Sequence, residues 1–244
     1  MSQAPALAAA EFLRGVKTVS PILTGMVPVG LIMGATCAFV GLSPLAAGLM
    51  GGLNFAGGSE FAALSLWSSA PPIAAIVLTT WLVNSRHIVL SAALTPWLQS
   101  QPRSRALAAP FFMCDECWSL SIRDCYERTK AGAPEEQAFS LPFYLGVGGS
   151  LWFSWWASAV IGCALSGLLG DLRQWGFQAA FPALFITLTA MMWPGRRRCM
   201  PVFVSGLTAG LTSLVLSTPL AVMLGIIAGL ASAWFFIKGG LKWK

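Results

Sequence analysis

Charge is scarce in this chain: 15 Lys or Arg and nine Asp or Glu make up 10% of 244 residues, against roughly 25% in an ordinary soluble domain. With 56% hydrophobic residues and a mean hydropathy of +0.72, a soluble fold would display large sticky patches, so the solvent that fits this composition is a lipid bilayer. There is a single histidine, His87, which leaves too few nitrogen ligands for a histidine-built metal centre. The six cysteines sit mostly inside apolar stretches, as Cys37 and Cys163 do, without the dense spacing of a secreted disulfide framework, and read as reduced side chains. The basic residues that give a net charge of +6 fall at the ends of apolar segments and form no stripe interleaved with aromatics, which excludes nucleic-acid binding. A cleaved leader is not expected either, because the short Ala-rich start precedes Glu11, Arg14 and Lys17 instead of following a basic region.

What is abundant is apolar sequence in lengths near the roughly 20 residues that an α-helix needs to cross a bilayer. Residues 18–40 form a charge-free run with Pro21 and Pro28. Residues 45–66 follow Ser43-Pro44 and hold five glycines around one charge, Glu60, a pattern for an interrupted or very closely packed helix. Residues 73–98 begin as a clean span but carry Asn84, Arg86 and His87 past the middle. Residues 106–122 are apolar apart from Asp115 and Glu116, and they lead into a charged loop at 123–136. The segments 141–169, 177–193, 200–216 and 219–237 contain no Asp, Glu, Lys, Arg or His and read as scaffold and lipid contact.

These segments predict an all-α fold: one polytopic transmembrane helical bundle of six to eight hydrophobic segments, with broken or re-entrant helices in the first half. The expected organisation is a cytoplasmic segment at 1–17, a site-bearing half at 18–122, the charged loop, and a scaffold half at 137–244. Basic residues favour the cytoplasmic side, so Arg196 to Arg198, Lys238, Lys242 and Lys244 predict both termini inside and the loop at 171–173 outside. Eight crossings satisfy this, and so do six crossings with residues 45–66 and 106–122 as re-entrant pieces; the second version puts Arg103 and Arg105 in the cytoplasm and is preferred. Trp67, Trp97, Trp175, Trp193 and Trp243 lie near segment ends, as interfacial aromatics do, whereas Trp152, Trp155 and Trp156 are expected to pack between helices.

An ionised side chain at bilayer depth costs several kcal/mol, so one kept there is paired, neutralised or functional. Glu60, Arg86, His87, Asp115 and Glu116 all meet that description, and all lie in the segments whose Gly and Pro content suggests broken helices, where transporters bind substrates and ions. If the chain opens at Gly57-Gly58, its backbone would offer a cradle for a carboxylate or an ammonium group; the alternative is close packing, with Glu60 held by Arg86. His87 beside Arg86 reads either as a proton-exchanging group or as a hydrogen-bonded interior residue. Cys114-Asp115-Glu116-Cys117 has the outline of a metal or redox pair but lacks the second pair that would complete a tetrahedral site, so no metal or other cofactor is expected. Adjacent carboxylates cannot share a helical face, which predicts that Asp115 faces the site while Glu116 reaches the interface.

With these motifs in hand the sequence resembles the AzlC family, the larger subunit of two-component branched-chain amino acid exporters. The likeness rests on Ser43-Pro44, on Phe55-Ala56-Gly57-Gly58-Ser59-Glu60-Phe61, on Arg86-His87 and on Asp115-Glu116. The family commonly has Gln in place of Glu60 and Thr in place of Cys114. The resemblance implies export of Leu, Ile, Val or a similar neutral amino acid such as methionine, from a bacterial cytoplasmic (inner) membrane, with a separate small hydrophobic partner subunit of the AzlD type. A zwitterion then needs a cationic or amide cradle, an acceptor for its ammonium group and an apolar pocket. Arg86, Asn84, Ser59 and the Gly57-Gly58 backbone, then Glu60 or Asp115, then Phe55, Phe61 and Trp81 are the candidates for these, with Glu60, His87, Asp115 and Glu116 as proton-coupling groups. A reading from another class is an intramembrane serine hydrolase with Ser59 as nucleophile and His87 as base, against which Arg86 would disfavour the protonated histidine.

Overall fold

A computed structural model describes residues 3–99, 101–169, 186, 190, 193, 199–216 and 218–238. Most of the expected segment 177–193 lies outside the described residues, as do the loop at 171–173, Arg196 to Arg198, Trp175, Lys242, Trp243 and Lys244. The protein is an all-α helical membrane bundle, with no strand among the described residues. Two of its helical stretches, Ala6–Phe39 and Ile73–Leu98, are long and apolar enough to cross a bilayer by themselves.

Helix α1 (Gln3–Phe39) has 37 residues, about 55 Å at 1.5 Å per residue, and so extends past a hydrocarbon layer of about 30 Å. Residues 3–17 of the N-terminal segment expected at 1–17 form its first four turns, since Ala and Leu favour continuing the helix. Its main neighbour is the helix α8 (Leu141–Ala164), capped by the Ser140 hydroxyl, which accepts from the Phe143 N–H. The two run parallel. Gly15 lies against the backbone of Phe143 and Gly146, Gly146 against Phe12, Gly34 against Ala159 and Gly162 against Leu31, so backbone touches backbone at both ends of the crossing. Lipid tails are as apolar as leucine, which leaves such close van der Waals contact to hold helices together in a membrane.

The α1–α8 pair sets a vertical scale for everything between them. Helix α2 (Pro44–Asn54), begun by Ser43 and Pro44, runs back along α8: Gly48 meets Val160 and Trp156, Gly52 meets Trp156 and Trp152, and the Trp152 Nε1 donates to the Gly52 carbonyl at 2.8 Å. It has 11 residues, about 17 Å, and stops half-way. Helix α3 (Gly58–Ser65) then leads to α4 (Ile73–Asn84), on which it packs. Helix α5 (Arg86–Leu98) carries on from α4 through Ser85 to the end of the bundle that holds the start of α1, where Trp97 meets Tyr126 edge-on at 5.5 Å. Because α4–α5 crosses toward that end, α3 must finish at the opposite end, and α2–α3 enters and leaves by one side.

The second excursion mirrors the first. Helix α6 (Arg103–Ala108) and a 3-10 turn (Ala109–Phe112) climb along the first half of α8: the Tyr144 hydroxyl donates to the Ala109 carbonyl at 2.8 Å and Phe112 lies against Gly148. After extended residues Met113 and Cys114, α7 (Asp115–Lys130) descends to the level of Glu11 and Arg14. This arrangement matches the re-entrant version for both 45–66 and 106–122, with the two tips arriving from opposite ends. Part of the charged loop expected at 123–136 is the last two turns of α7.

At the shared end, Arg14 donates to Asp124 at 2.7 and 3.0 Å and to Glu11 at 2.9 and 3.1 Å, Arg128 donates to Asp124 and Glu11, and the Ser140 hydroxyl donates to Glu11 at 2.8 Å. This network ties α1, α7 and the start of α8 together. Helices α9 (Ser166–Leu169), α10 (Met200–Thr212) and α11 (Thr218–Lys238) complete the described chain, with α10 and α11 packed through Gly225 and Gly229 on Ser205, and α11 touching α4. Trp97 is 5% exposed, a core residue and not the interfacial aromatic its position near a segment end suggested. All six cysteines are free.

Gly34→Ala and Gly162→Ala each force a methyl group into a facing backbone, and each is expected to lower stability by about 1–3 kcal/mol, seen as a lower apparent Tm in detergent. Gly25→Ala has nothing within 4 Å and should leave the Tm unchanged or slightly raised.

Candidate functional site

Three interruptions of the helices meet at one level. The α2–α3 tip turns at Phe55, whose φ of 44° and ψ of 49° are left-handed, and at Gly57, with φ 64°. The second lies at Ser85 and the third at Cys114, which is extended at φ −123° and ψ 177°. Met26 and Val29, midway along α1, and Trp155 of α8 stand at the same height, which places the meeting point near the middle of the bundle.

Backbone groups released from helices at such a depth need partners. The chain supplies them itself: the Gly57 N–H donates to Glu60 Oε2 at 2.6 Å, while the Ala56 carbonyl accepts from the Gly58 N–H at 2.7 Å and from Arg86 Nη2 at 2.8 Å. The free amide cradle expected at Gly57-Gly58 is therefore already occupied. Glu60 occupies the third position of α3 and reaches back to the residue before the helix, which is half of a capping box. For the same reason it does not pair with Arg86. The ionic partner of Arg86 is Asp115, with Nη2 3.2 Å from Oδ2 and both side chains 23% exposed.

Asp115 and Glu116 open α7, where the positive end of the helix dipole favours carboxylates. Both border a cavity of about 40 Å³ that is also lined by Met26, Val29, Phe55, Ala56, Gly57, Arg86, Cys114 and Trp155. The division expected between an inner Asp115 and an interfacial Glu116 does not occur: Glu116 is 6% exposed. In the first turn of a helix that starts at the cavity, neighbouring residues both reach it. Glu60 is more deeply buried, at 1%, and the Trp155 indole N–H interacts with its carboxylate.

Beside this cavity lies a larger, more open one of about 510 Å³, bordered by Leu53, Asn54, Phe55, Asn84, His87, Ile88, Ser91, Pro110, Phe111 and Met113. An amide chain runs between the two: Asn84 Nδ2 donates to Asn54 Oδ1 at 2.9 Å, and Asn54 Nδ2 donates to the buried Ser59 hydroxyl at 2.7 Å. His87 Nδ1 lies 3.1 Å from the Asn84 carbonyl. Ser59 and His87 thus have separate hydrogen-bond partners. Trp81, proposed for the apolar pocket, is 64% exposed on α4, on the face turned away from Thr79. Phe61 is half-buried against the core and borders neither cavity. Among the described residues no group of three or more His, Cys, Asp or Glu side chains is arranged to hold a metal ion.

Asn54, Met26, Val29 and Trp155 are site residues that the sequence reading did not select. Asn54 carried a signal, being a polar residue inside a glycine-rich apolar run directly before the motif. Met26 and Val29 are apolar residues of the first charge-free span and Trp155 belongs to a span read as scaffold, and nothing in their spacing marks them.

Residues 21–169, which include every side chain bordering the two cavities, match the family described as AzlC protein. The chain is also 28% identical over 231 residues to an uncharacterized membrane protein of Archaeoglobus fulgidus, covering 92% of this chain and 95% of that one. No solved structure matches.

Removing one member of a buried ion pair leaves the other uncompensated, at a cost of about 3 kcal/mol where burial is complete and less at the partial exposure seen here. Asp115→Asn is therefore expected to lower the apparent Tm in detergent, and the double variant Arg86→Gln with Asp115→Asn to recover most of that loss.

Proposed function

Because the chain belongs to the AzlC family, whose members are transporter-associated membrane proteins, we propose that it is the large subunit of an exporter for Leu, Ile, Val or a similar neutral amino acid such as methionine, driven by the proton gradient. It resides in the cytoplasmic membrane with both termini inside and works with a small hydrophobic AzlD-type partner subunit. The observation that carries this reading is the mid-depth cavity where one cation, Arg86, meets Asp115, Glu116 and the nearby Glu60 at the tips of two re-entrant segments. Supporting the orientation, Arg14, Lys17, Arg103, Arg105, Arg123, Arg128 and Lys130 gather at the end of the bundle where α1 begins, as the bias of basic residues toward the cytoplasm requires.

A guanidinium in this setting is the natural seat for a substrate carboxylate, because it forms charge-assisted hydrogen bonds that water does not compete for. Arg86 is engaged by Asp115 and the Ala56 carbonyl, so an arriving carboxylate takes the place of Asp115. The released Asp115, or Glu60, then meets either the substrate ammonium or a proton, and this competition is what couples the two movements. Glu60 suits the proton because it is 1% exposed, at a depth where a charge is costly. A cavity of about 40 Å³ holds a few waters, whereas small-molecule pockets run to about 300 Å³ or more. The conformation described is thus closed around the site, and transport requires the tips to move apart.

Reconstitution with the partner subunit tests the reading. Labelled leucine and methionine should leave the vesicles under an imposed pH gradient, and Glu60→Gln and Asp115→Asn should each slow that flux by about tenfold or more, the equivalent of 1.4 kcal/mol. Export at an unchanged rate in both variants would reject the proton-coupling roles, and a lack of flux for any neutral amino acid in the unaltered complex would reject the substrate class.

A further inference from the structure

We propose that Phe55 is the shutter between two chambers of one permeation path: a vestibule on the side of the bundle where α1 begins, and the closed charged cavity beyond it. Phe55 borders both cavities. The larger one is bounded by Ile88 and Ser91 of α5 and by Pro110 and Phe111 of the 3-10 turn, all of which lie between the tips and the end that holds Glu11 and Arg14. With about 510 Å³ it has room for a small amino acid, while the inner cavity of about 40 Å³ does not. Its chemistry suits a neutral zwitterion with an apolar side chain: Leu53, Phe111 and Met113 supply apolar lining, and Asn84, His87 and Ser91 offer hydrogen-bonding groups without a fixed charge.

The backbone at Phe55 is built for a two-position element. It is the one non-glycine residue with positive φ among those described, a conformation that L-residues adopt only where the surroundings impose it. Glycines at 51, 52, 57 and 58 flank it, and it sits where α2 has ended and α3 has not begun. Its neighbour Asn54 is bonded to Ser59 across the tip and to Asn84 across the vestibule, so turning of the tip is tied to the α4–α5 junction that carries Arg86. Phe55 itself is 4% exposed and lines both chambers.

This inference rests on the transport reading for the identity of the substrate but not for the shutter, and the test separates them. Of the two cavities Cys114 borders the inner one, and it serves as a natural reporter. In the full-length chain with the other five cysteines replaced, a membrane-impermeant thiosulfonate should modify Cys114 slowly. Phe55→Gly, which removes both the ring and the backbone constraint, should raise that rate by about tenfold or more, the gain expected when a minor open state becomes the main one, and only from the side where α1 begins. Phe55→Leu should give an intermediate rate and Phe55→Trp a lower one. A Ser91→Cys reporter in a chain lacking the six native cysteines should react rapidly whatever residue stands at 55.

Equal Cys114 rates in the Phe55→Gly and unaltered chains, or an equal rise from both sides of the membrane, would overturn the shutter. If Phe55→Gly does not elute as a monodisperse species, Phe55→Leu decides on the same criterion. Protection of the Ser91→Cys reporter by leucine supports the vestibule as a seat for the transported amino acid. A shutter that behaves as stated without such protection leaves the shutter standing and counts against the amino-acid substrate.

Discussion

Hydrocarbon offers no hydrogen bonds, and that single constraint organises the centre of this protein. Two helices are cut short at mid-depth, and each cut releases amides and carbonyls that a lipid cannot satisfy. The bundle answers with its own side chains: Glu60 takes the Gly57 amide, Arg86 takes the Ala56 carbonyl, and α7 opens with two carboxylates at its positive end. The charged groups are therefore structural before they are anything else. In the transport cycle proposed above, the same groups, once displaced, suit a carboxylate, an ammonium or a proton.

This double duty explains why the cavity is small. Arg86 with Asp115, and Glu60 with the α3 start, close the site by pairing inside the chain, and the ligand proposed above competes with these intramolecular partners of like chemistry. The counterpart is the α1–α8 pair, whose glycines let two backbones touch at both ends of their crossing. Against that fixed frame the tips of the two re-entrant segments are the elements short enough to shift.

The ion network at the beginning of α1 belongs to the same logic at the opposite end of the polarity scale. Arg14, Glu11, Arg128 and Ser140 gather with the buried Asp124 in one paired network, and they anchor the foot of α7 to the frame. Helix α7 is thereby fixed at its C-terminal end and free of helical neighbours in sequence at its N-terminal end, where Asp115 meets Arg86.

The sequence by itself determined the solvent, the all-α class and the list of charges that had to be accounted for, because bilayer hydrocarbon penalises every polar group and makes each exception visible. It also marked the break at Gly57-Gly58 and the company that Glu60, Arg86 and Asp115 would keep. Only the tertiary structure decided who pairs with whom: Glu60 turned to its own helix start, Arg86 to Asp115, and Glu116 inward beside it. It likewise brought Trp155, Met26 and Val29 to the site and turned Trp81 away, since an apolar side chain carries no label of which helix face will meet a cavity. Pairing and facing are set by the depth at which each helix stops and by its rotation against its neighbours, and neither quantity is written in any local stretch of residues.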